Sequence, residues 1–290
     1  MRSLMKFAAV AAMMAMCGSA CAQPAAQATK PEAAETQFVP EVGQAGKDVI
    51  WVPTQNTLVD AMLKTAKVKP GELVIDLGSG DGRIPIIAAR DFGARARGIE
   101  YNPKMVALSR ENAKKEGVTD KVEFIEGDIF KIDFSQADVL TLYLLPELNL
   151  QLREDILKMK PGTRVVSNSF TMGDWPPDET INSDGGTGYF WIVPANAAGR
   201  WTIPVPGGKP VTVTIDQKYQ TVTAGAARNG KTVSVSNLKL TGADLQFTLT
   251  EGGKSYAVAG KIAGDSLSGQ VTPQGGAAAS FTAARAKPRG

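Results

Sequence analysis

The 290-residue sequence contains no histidine and only two cysteines, Cys17 and Cys21. Histidine is the usual general base and a common metal ligand, and every Ser–His or Cys–His catalytic pair requires it. Both cysteines lie in an N-terminal segment that the sequence predicts to be removed, so no disulfide or thiolate site is expected in the remaining chain. The sequence therefore predicts no metal site, and it leaves carboxylates, phenols and solvent as proton acceptors.

A hydrophobic run long enough to span a membrane is also missing. The apolar run over residues 7–16 is too short to cross a bilayer. It follows two basic residues and precedes small residues ending at Ala22, which predicts a signal peptide over 1–22, cleavage after Ala22 and export to the periplasm. Lipidation of Cys21 is the less favoured alternative, because Gly18 stands where a lipoprotein signal usually has leucine.

Charge is distributed unevenly along the chain. Residues 23–184 contain 25 acidic and 19 basic residues, whereas residues 185–290 contain 4 acidic and 11 basic residues. This asymmetry predicts either docking of the two parts on each other or contact of the C-terminal part with an anionic surface. The alternative is that both parts expose solvated surfaces that merely differ in net charge. No basic run interleaved with aromatic residues indicates a nucleic-acid surface, so no nucleic-acid partner is expected.

Composition and periodicity divide the chain into further segments. Residues 23–47 are rich in Ala, Gln, Pro and Glu, which predicts a flexible linker. Residues 48–198 alternate strand and helix patterns, which predicts an α/β domain with a doubly wound, mainly parallel, Rossmann-like sheet whose last strand is Tyr189–Val193. Residues 199–290 show short alternating strands and turns such as Asn229–Gly230, which predict a small all-β antiparallel domain, curled into a barrel or sandwich.

One motif follows the first predicted strand. Residues 76–82 read Asp-Leu-Gly-Ser-Gly-Asp-Gly and precede an apolar helix. Glycines here can adopt positive φ and let a ligand approach the backbone at a helix N-terminus, which is typical of a nucleotide-type site. The spacing differs from the G-x-G-x-x-G of dinucleotide sites, and Asp76 suits a cationic ligand better than a diphosphate.

This loop resembles that of class I S-adenosylmethionine-dependent methyltransferases. The resemblance implies that S-adenosylmethionine is the cofactor and that Glu100, at the end of the second strand, accepts hydrogen bonds from the ribose hydroxyls. It also implies that Asp128 contacts the adenine amino group and that Tyr101 flanks the adenine ring. The residues implied to wrap the methionine part are Asp76, Gly78, Ser79, Gly80 and Gly82. The alternatives are a loop-capping role for Asp76, hydration for Glu100 and a turn cap for Asp128.

A closer resemblance extends over about residues 51–195. Trp51-Val52-Pro53-Thr54, the glycine loop, Tyr143-Leu144-Leu145-Pro146 and Arg164-Val165-Val166-Ser167 resemble the lysine N-methyltransferase family that includes the mitochondrial ATP-synthase c-subunit enzyme and many bacterial relatives. The chain departs from that family in having Trp51 where tyrosine is usual and in its long extra segment after residue 195.

The resemblance implies methyl transfer to an amine, first of all a protein lysine. It implies a place for Tyr143 beside the acceptor, and Trp51 can cover the sulfonium methyl through cation–π attraction. Both aromatics can instead be ordinary packing residues. Two other functions remain open: methylation of a small molecule or envelope component, and non-catalytic binding of S-adenosylmethionine by a protein that acts through its β domain.

Overall fold

The computed structural model of the chain describes residues 38–286. The predicted signal peptide, both cysteines and the predicted linker as far as Gln37 lie outside the described residues. From Phe38 onward the described residues belong to one compact unit. Residues 38–47, predicted as the end of a flexible linker, are part of it, because Gly43 N donates to Trp51 O at 2.9 Å and Ala45 pairs with Ile50 in an antiparallel bridge.

The first sheet has seven strands in the order β3-β2-β1-β4-β5-β7-β6, and the first five strands in this order are parallel. Its strands are β1 (Leu73–Leu77), β2 (Arg95–Glu100), β3 (Val122–Glu126), β4 (Val139–Leu142), β5 (Arg164–Asn168), β6 (Glu179–Ser183) and β7 (Gly186–Ile192). Four helices accompany them: α1 (Asn56–Thr65), α2 (Arg83–Phe92), α3 (Pro103–Lys115) and α4 (Pro146–Leu157). The prediction of a doubly wound, mainly parallel sheet is confirmed.

Local sequence explains where the helices begin. Asn102 caps α3, since its Oδ1 accepts a hydrogen bond from Lys104 N at 3.0 Å, and Pro103 occupies the first turn. The start of α1 has no such cap. Gln55 is the N-cap residue, without a side-chain bond, and the Thr54 hydroxyl accepts from Asn168 Nδ2 at 3.1 Å instead.

The sequence pattern missed strand β6. This edge strand pairs antiparallel with β7 across a tight turn, with Ser183 opposite Gly186. Only Ile181 of its five residues is buried, so the strand lacks the alternation of apolar residues by which a half-buried strand is recognised.

The second sheet is an eight-stranded antiparallel meander, which confirms the prediction of an all-β C-terminal region. Its strands are β8 (Gly199–Ile203), β9 (Val211–Lys218), β10 (Thr221–Arg228), β11 (Lys231–Thr241), β12 (Asp244–Glu251), β13 (Lys254–Ala263), β14 (Ser266–Pro273) and β15 (Ala279–Ala284). Its two edges meet, because Trp201 of β8 bridges to Arg285 and Ala286 N donates to Arg200 O at 2.8 Å. The sheet therefore closes into a barrel, and apolar side chains form one core cluster inside it.

The segment between the two sheets is packed. Ala195 and Ala197 are buried in the core cluster of the barrel, and Ala195 N donates to Gly242 O at 2.8 Å. Gln217 Nε2 donates to Ala195 O at 2.9 Å. Within residues 38–286, none of the helices has the length and apolar character needed to cross a bilayer.

Candidate active site

A cavity of about 760 Å³ opens at the carboxyl ends of the parallel strands. Strand β1 has β2 on one side and β4 on the other, so the chain winds outward in opposite directions from this point of the sheet. Doubly wound sheets bind their ligands at such a switch point. The cavity is bounded by the loop after β1, by residues 44–54 and by Phe170 after β5. Its volume lies within the range of small-molecule and cofactor sites.

The cavity wall contains all but one of the residues that the sequence predicts for the site. Those in the wall are Trp51, Asp76, Gly78, Ser79, Gly80, Glu100, Tyr101, Asp128 and Tyr143. Gly82 is outside the wall. It has φ 80° at the start of α2, and a Cβ there would lie 2.6 Å from Phe124 and 2.7 Å from Ser109. Gly82 therefore allows the start of α2 to pack closely against Phe124 and Ser109.

Backbone hydrogen bonds hold the glycine loop against β2. The amides of Gly78 and Ser79 both donate to Ile99 O, at 2.9 and 3.0 Å. Gly80 has φ 54°, and a Cβ there would lie 2.6 Å from Trp51 Nε1. Trp51 therefore lies directly on the loop, and only glycine fits position 80.

Glu100 links this loop to the start of α3. Its Oε2 accepts from Gly80 N at 2.9 Å and its Oε1 accepts from Asn102 N at 2.8 Å. A carboxylate oxygen can accept two hydrogen bonds, so each oxygen keeps one position for a further donor. Because the side chain also lines the cavity, Glu100 can accept from a pair of ligand hydroxyls while it holds the loop.

Asp76 is a buried carboxyl in the cavity wall, only 2% exposed. Burial raises its pKa to about 7, a hydrogen bond from the Thr141 hydroxyl at 2.6 Å opposes that rise, and the nearby Glu100 and Asp81 carboxylates add to it. A buried anion is stabilised by an adjacent cation. The ionised form of Asp76 therefore favours a positively charged ligand in this cavity.

Asp128 caps a turn and also lines the cavity. Its Oδ1 accepts from Phe130 N at 3.0 Å. The pKa of Asp128 is lowered by this backbone hydrogen bond and by the neighbouring Lys47 and Lys131 ammonium groups. Lys47 Nζ lies 3.6 Å from Asp128 Oδ2 and 5.5 Å from the centre of the Tyr101 ring.

Sequence reasoning missed Lys47 and Phe170. Lys47 is an isolated lysine in a polar stretch, and no spacing relates it to Asp128. Phe170 lies just after β5 and stacks on Tyr143, with ring centres 6.4 Å apart and an interplanar angle of 29°. The only available signal for Phe170 was its position at the carboxyl end of a parallel strand.

Arg83 fixes the segment that carries Trp51. Its Nη1 donates to Thr54 O at 2.9 Å, and its Nη2 lies 2.7 Å from Asp81 Oδ2. Through Arg83 the glycine loop and the residues that cover it form one hydrogen-bonded unit. Among residues 38–286, no cluster of three Asp, Glu, Cys or His side chains is arranged to hold a metal ion.

These features fit S-adenosylmethionine. The loop has glycines at positive φ, the Glu100 carboxylate keeps free acceptor positions, Asp76 is a buried carboxyl in the wall, and aromatic side chains complete the wall. When bound, the cofactor supplies a methyl group on a positively charged sulfur. The fold and the site define a class I S-adenosylmethionine-dependent methyltransferase, with S-adenosylmethionine as methyl donor.

Comparisons with known proteins give the family. A family model described as the ANTKMT methyltransferase domain matches residues 76–179. The chain is 40% identical over 151 residues to the protein-lysine N-methyltransferase of Saccharolobus islandicus, covering 50% of this chain and 94% of that protein. It is 33% identical over 177 residues to the ATP-synthase c-subunit lysine N-methyltransferase of Mus musculus, covering 60% and 68%. The chain belongs to the family of these lysine N-methyltransferases.

A solved structure, the RNA methyltransferase from Salinibacter ruber in complex with S-adenosyl-L-homocysteine, is 47% identical and covers 54% of this chain and 98% of that one, with a TM-score of 0.49. The family model ends at residue 179 and does not include the barrel.

Proposed function

We propose that the protein transfers a methyl group from S-adenosylmethionine to the side-chain amine of a protein lysine. The relatives named as lysine N-methyltransferases support this acceptor. The structural observation that carries the proposal is the stacked pair of Tyr143 and Phe170, which forms an aromatic wall at the ends of β4 and β5. This wall lies in the same cavity as the glycine loop and Asp76.

The aromatic wall suits an amine acceptor. A lysine ammonium, with an ordinary pKa of about 10.4, must lose its proton before its nitrogen can attack a methyl carbon. Poorly hydrated surroundings lower the pKa of an amine because they destabilise its charged form. Tyr143 and Phe170, both partly buried, provide such surroundings together with the buried Leu144, and they can align the nitrogen lone pair behind the methyl group.

The test is to incubate the purified protein with radiolabelled S-adenosylmethionine and cell-envelope extract, hydrolyse the labelled protein and separate the amino acids. Radioactive methyl-lysine is expected. Label in lipid or small molecules would overturn the lysine acceptor and support the envelope-component alternative. Bound cofactor without any transferred label would support the non-catalytic alternative. Glu100→Ala, which lacks the acceptor for the ribose hydroxyls, is the control and should lose most of the label.

We also propose that the protein is exported, on the pattern of residues 1–22. N-terminal sequencing of the protein isolated from its native cell should find Gln23 as the first residue, and a chain that begins at Met1 would overturn this.

The basic C-terminal region supports a further proposal, contact with an anionic surface. Sedimentation with phosphatidylglycerol vesicles should then exceed that with phosphatidylcholine vesicles and fall as salt rises past about 0.15 M. Equal sedimentation with both vesicles would contradict it.

A further inference from the structure

The turn between β9 and β10 of the barrel has an unusual residue. Lys218 pairs with Thr221, so Tyr219 and Gln220 form a two-residue hairpin turn. Tyr219 has φ 56°, in the left-handed region. Turns of this kind favour glycine there, and a bulky residue is strained. A strained position persists where the surrounding contacts hold it.

Tyr219 contacts the first sheet's domain. Its hydroxyl donates to Asp174 Oδ1 at 2.9 Å, and its ring stacks on Trp175 with centres 5.9 Å apart and an interplanar angle of 22°. The Arg153 guanidinium of α4 lies 5.8 Å from the ring centre. Lys218, the preceding residue, pairs with the other oxygen of Asp174 at 3.1 Å.

Gln220 makes two further bonds to the same loop. Its Oε1 accepts from Trp175 Nε1 at 2.9 Å, and its Nε2 donates to Pro176 O at 2.7 Å. Trp175 is fully buried. A buried indole N–H requires an acceptor, and the barrel provides it here.

The loop held in this way leads directly to the cavity. Phe170 stands five residues before Trp175 and forms the wall with Tyr143. At the Phe170 end of the loop, Asn149 Nδ2 of α4 lies 3.4 Å from Phe170 O. In the middle, Arg153 Nη1 donates to Met172 O at 2.9 Å and pairs with Asp174 at 2.6 Å. The loop is therefore held on one side by helix α4 and on the other side by the barrel turn.

We propose that Tyr219 and Gln220 of the barrel are positioning residues for the methyl-transfer site: they fix loop 169–176 and thereby the Phe170 wall where the acceptor binds. The consequence for catalysis rests on the proposed lysine methylation. The cofactor side of the cavity is held separately, by bonds among the glycine loop, Ile99 and Glu100. Loss of the turn contacts should therefore impair use of the acceptor more than binding of the cofactor.

Two substitutions in the full chain test the proposal. Tyr219→Gly removes the ring and hydroxyl contacts and at the same time relieves the strained φ, so the hairpin itself should remain stable. Gln220→Ala removes both amide bonds. The matched control is Asn229→Gly, which relieves a similar positive φ of 50° at the β10–β11 turn. Tyr219→Phe, which removes only the bond to Asp174, provides a milder variant.

The first measurement is hydrogen–deuterium exchange. Both main variants should raise exchange in the peptide over residues 168–178 by about tenfold, since side-chain contacts that hold this segment are lost. Exchange in the glycine-loop peptide should stay unchanged, and the control should match the wild type throughout. Unchanged protection of residues 168–178 in both variants would overturn the proposal.

The second measurement separates acceptor from cofactor. Calorimetry should give an affinity for S-adenosylmethionine within about twofold of the wild type, while the KM for poly-L-lysine as probe acceptor rises about tenfold and kcat changes less. A loss of cofactor affinity as large as the rise in KM for the acceptor would also overturn the proposal, because the turn would then support the whole domain. If the wild type does not methylate poly-L-lysine, the result counts against the proposed lysine acceptor, and the exchange measurement still decides the positioning role.

Discussion

Replacement of Asp76 by asparagine tests the electrostatics of the cavity. The amide keeps the size of the carboxyl group and an oxygen that can accept from the Thr141 hydroxyl, which donates to Asp76 Oδ1 at 2.6 Å. It removes the ionisation. In the folded protein the pKa of Asp76 is about 7, against an ordinary value of 3.8. The difference is about 3 pKa units, and at 1.36 kcal/mol each this corresponds to about 4 kcal/mol.

The sign of the effect follows from proton binding. Between about pH 4 and pH 7 the folded state holds a proton on Asp76 that the unfolded state has released, so rising pH destabilises the folded protein across that window. Asp76→Asn has no ionisable group at this position, so its stability does not fall with pH for this reason. The free energy of unfolding of the variant, relative to that of the wild type, should therefore rise by about 3 kcal/mol between about pH 4.5 and pH 8.5, because the remainder of the effect lies below pH 4.5.

Guanidinium denaturation followed by tryptophan fluorescence, at several pH values across this window, gives the two curves. Calorimetry adds a second readout, since cofactor affinity of the wild type should increase as pH rises through about 7 and Asp76 ionises, while that of the variant stays level. If the two unfolding curves run parallel with pH, Asp76 does not titrate in this range and the account of its burial is refuted.

Three further predictions concern the cofactor site. Glu100→Ala should weaken S-adenosylmethionine binding by about 1–3 kcal/mol in calorimetry, whereas Glu123→Ala, at an exposed carboxylate of β3, should not; an equal effect of both would contradict the role of Glu100. Gly80→Ala should abolish the thermal shift caused by cofactor, because the new Cβ meets Trp51, whereas Gly117→Ala, also at positive φ but in open space, should keep it. Methyl transfer should persist in EDTA, and a loss that Mg²⁺ restores would reveal an oxygen-ligand site.

The glycine loop and its partner acid could be predicted from the sequence because their signals are local. The spacing of residues 76–82 between an apolar strand and a helix determines the turn. Glu100 follows at the end of the next strand, and the parallel order of β1 and β2 brings both to the same edge of the sheet. Their bond, from Gly80 N to Glu100, agrees with that expectation.

The rest of the site depends on contacts between distant parts of the chain. Lys47 reaches Asp128 only because residues 43–51 fold back over the cavity, and the sequence shows no sign of that reversal. Phe170 becomes a wall residue because the loop after β5 is held from both sides. The raised pKa of Asp76 depends on the burial that surrounding elements create, which no residue pattern near position 76 records.

Closure of the barrel between Trp201 and Arg285 has a consequence for the order of folding. All seven strands of the first sheet are complete by Ile192, whereas the edge contact of the barrel joins residues more than eighty positions apart. Contacts of such sequence separation form slowly, since a long loop has to close first. During synthesis the methyltransferase sheet can assemble as soon as Ile192 is available, and barrel closure waits for β15. Refolding should therefore show a slow phase that belongs to the barrel.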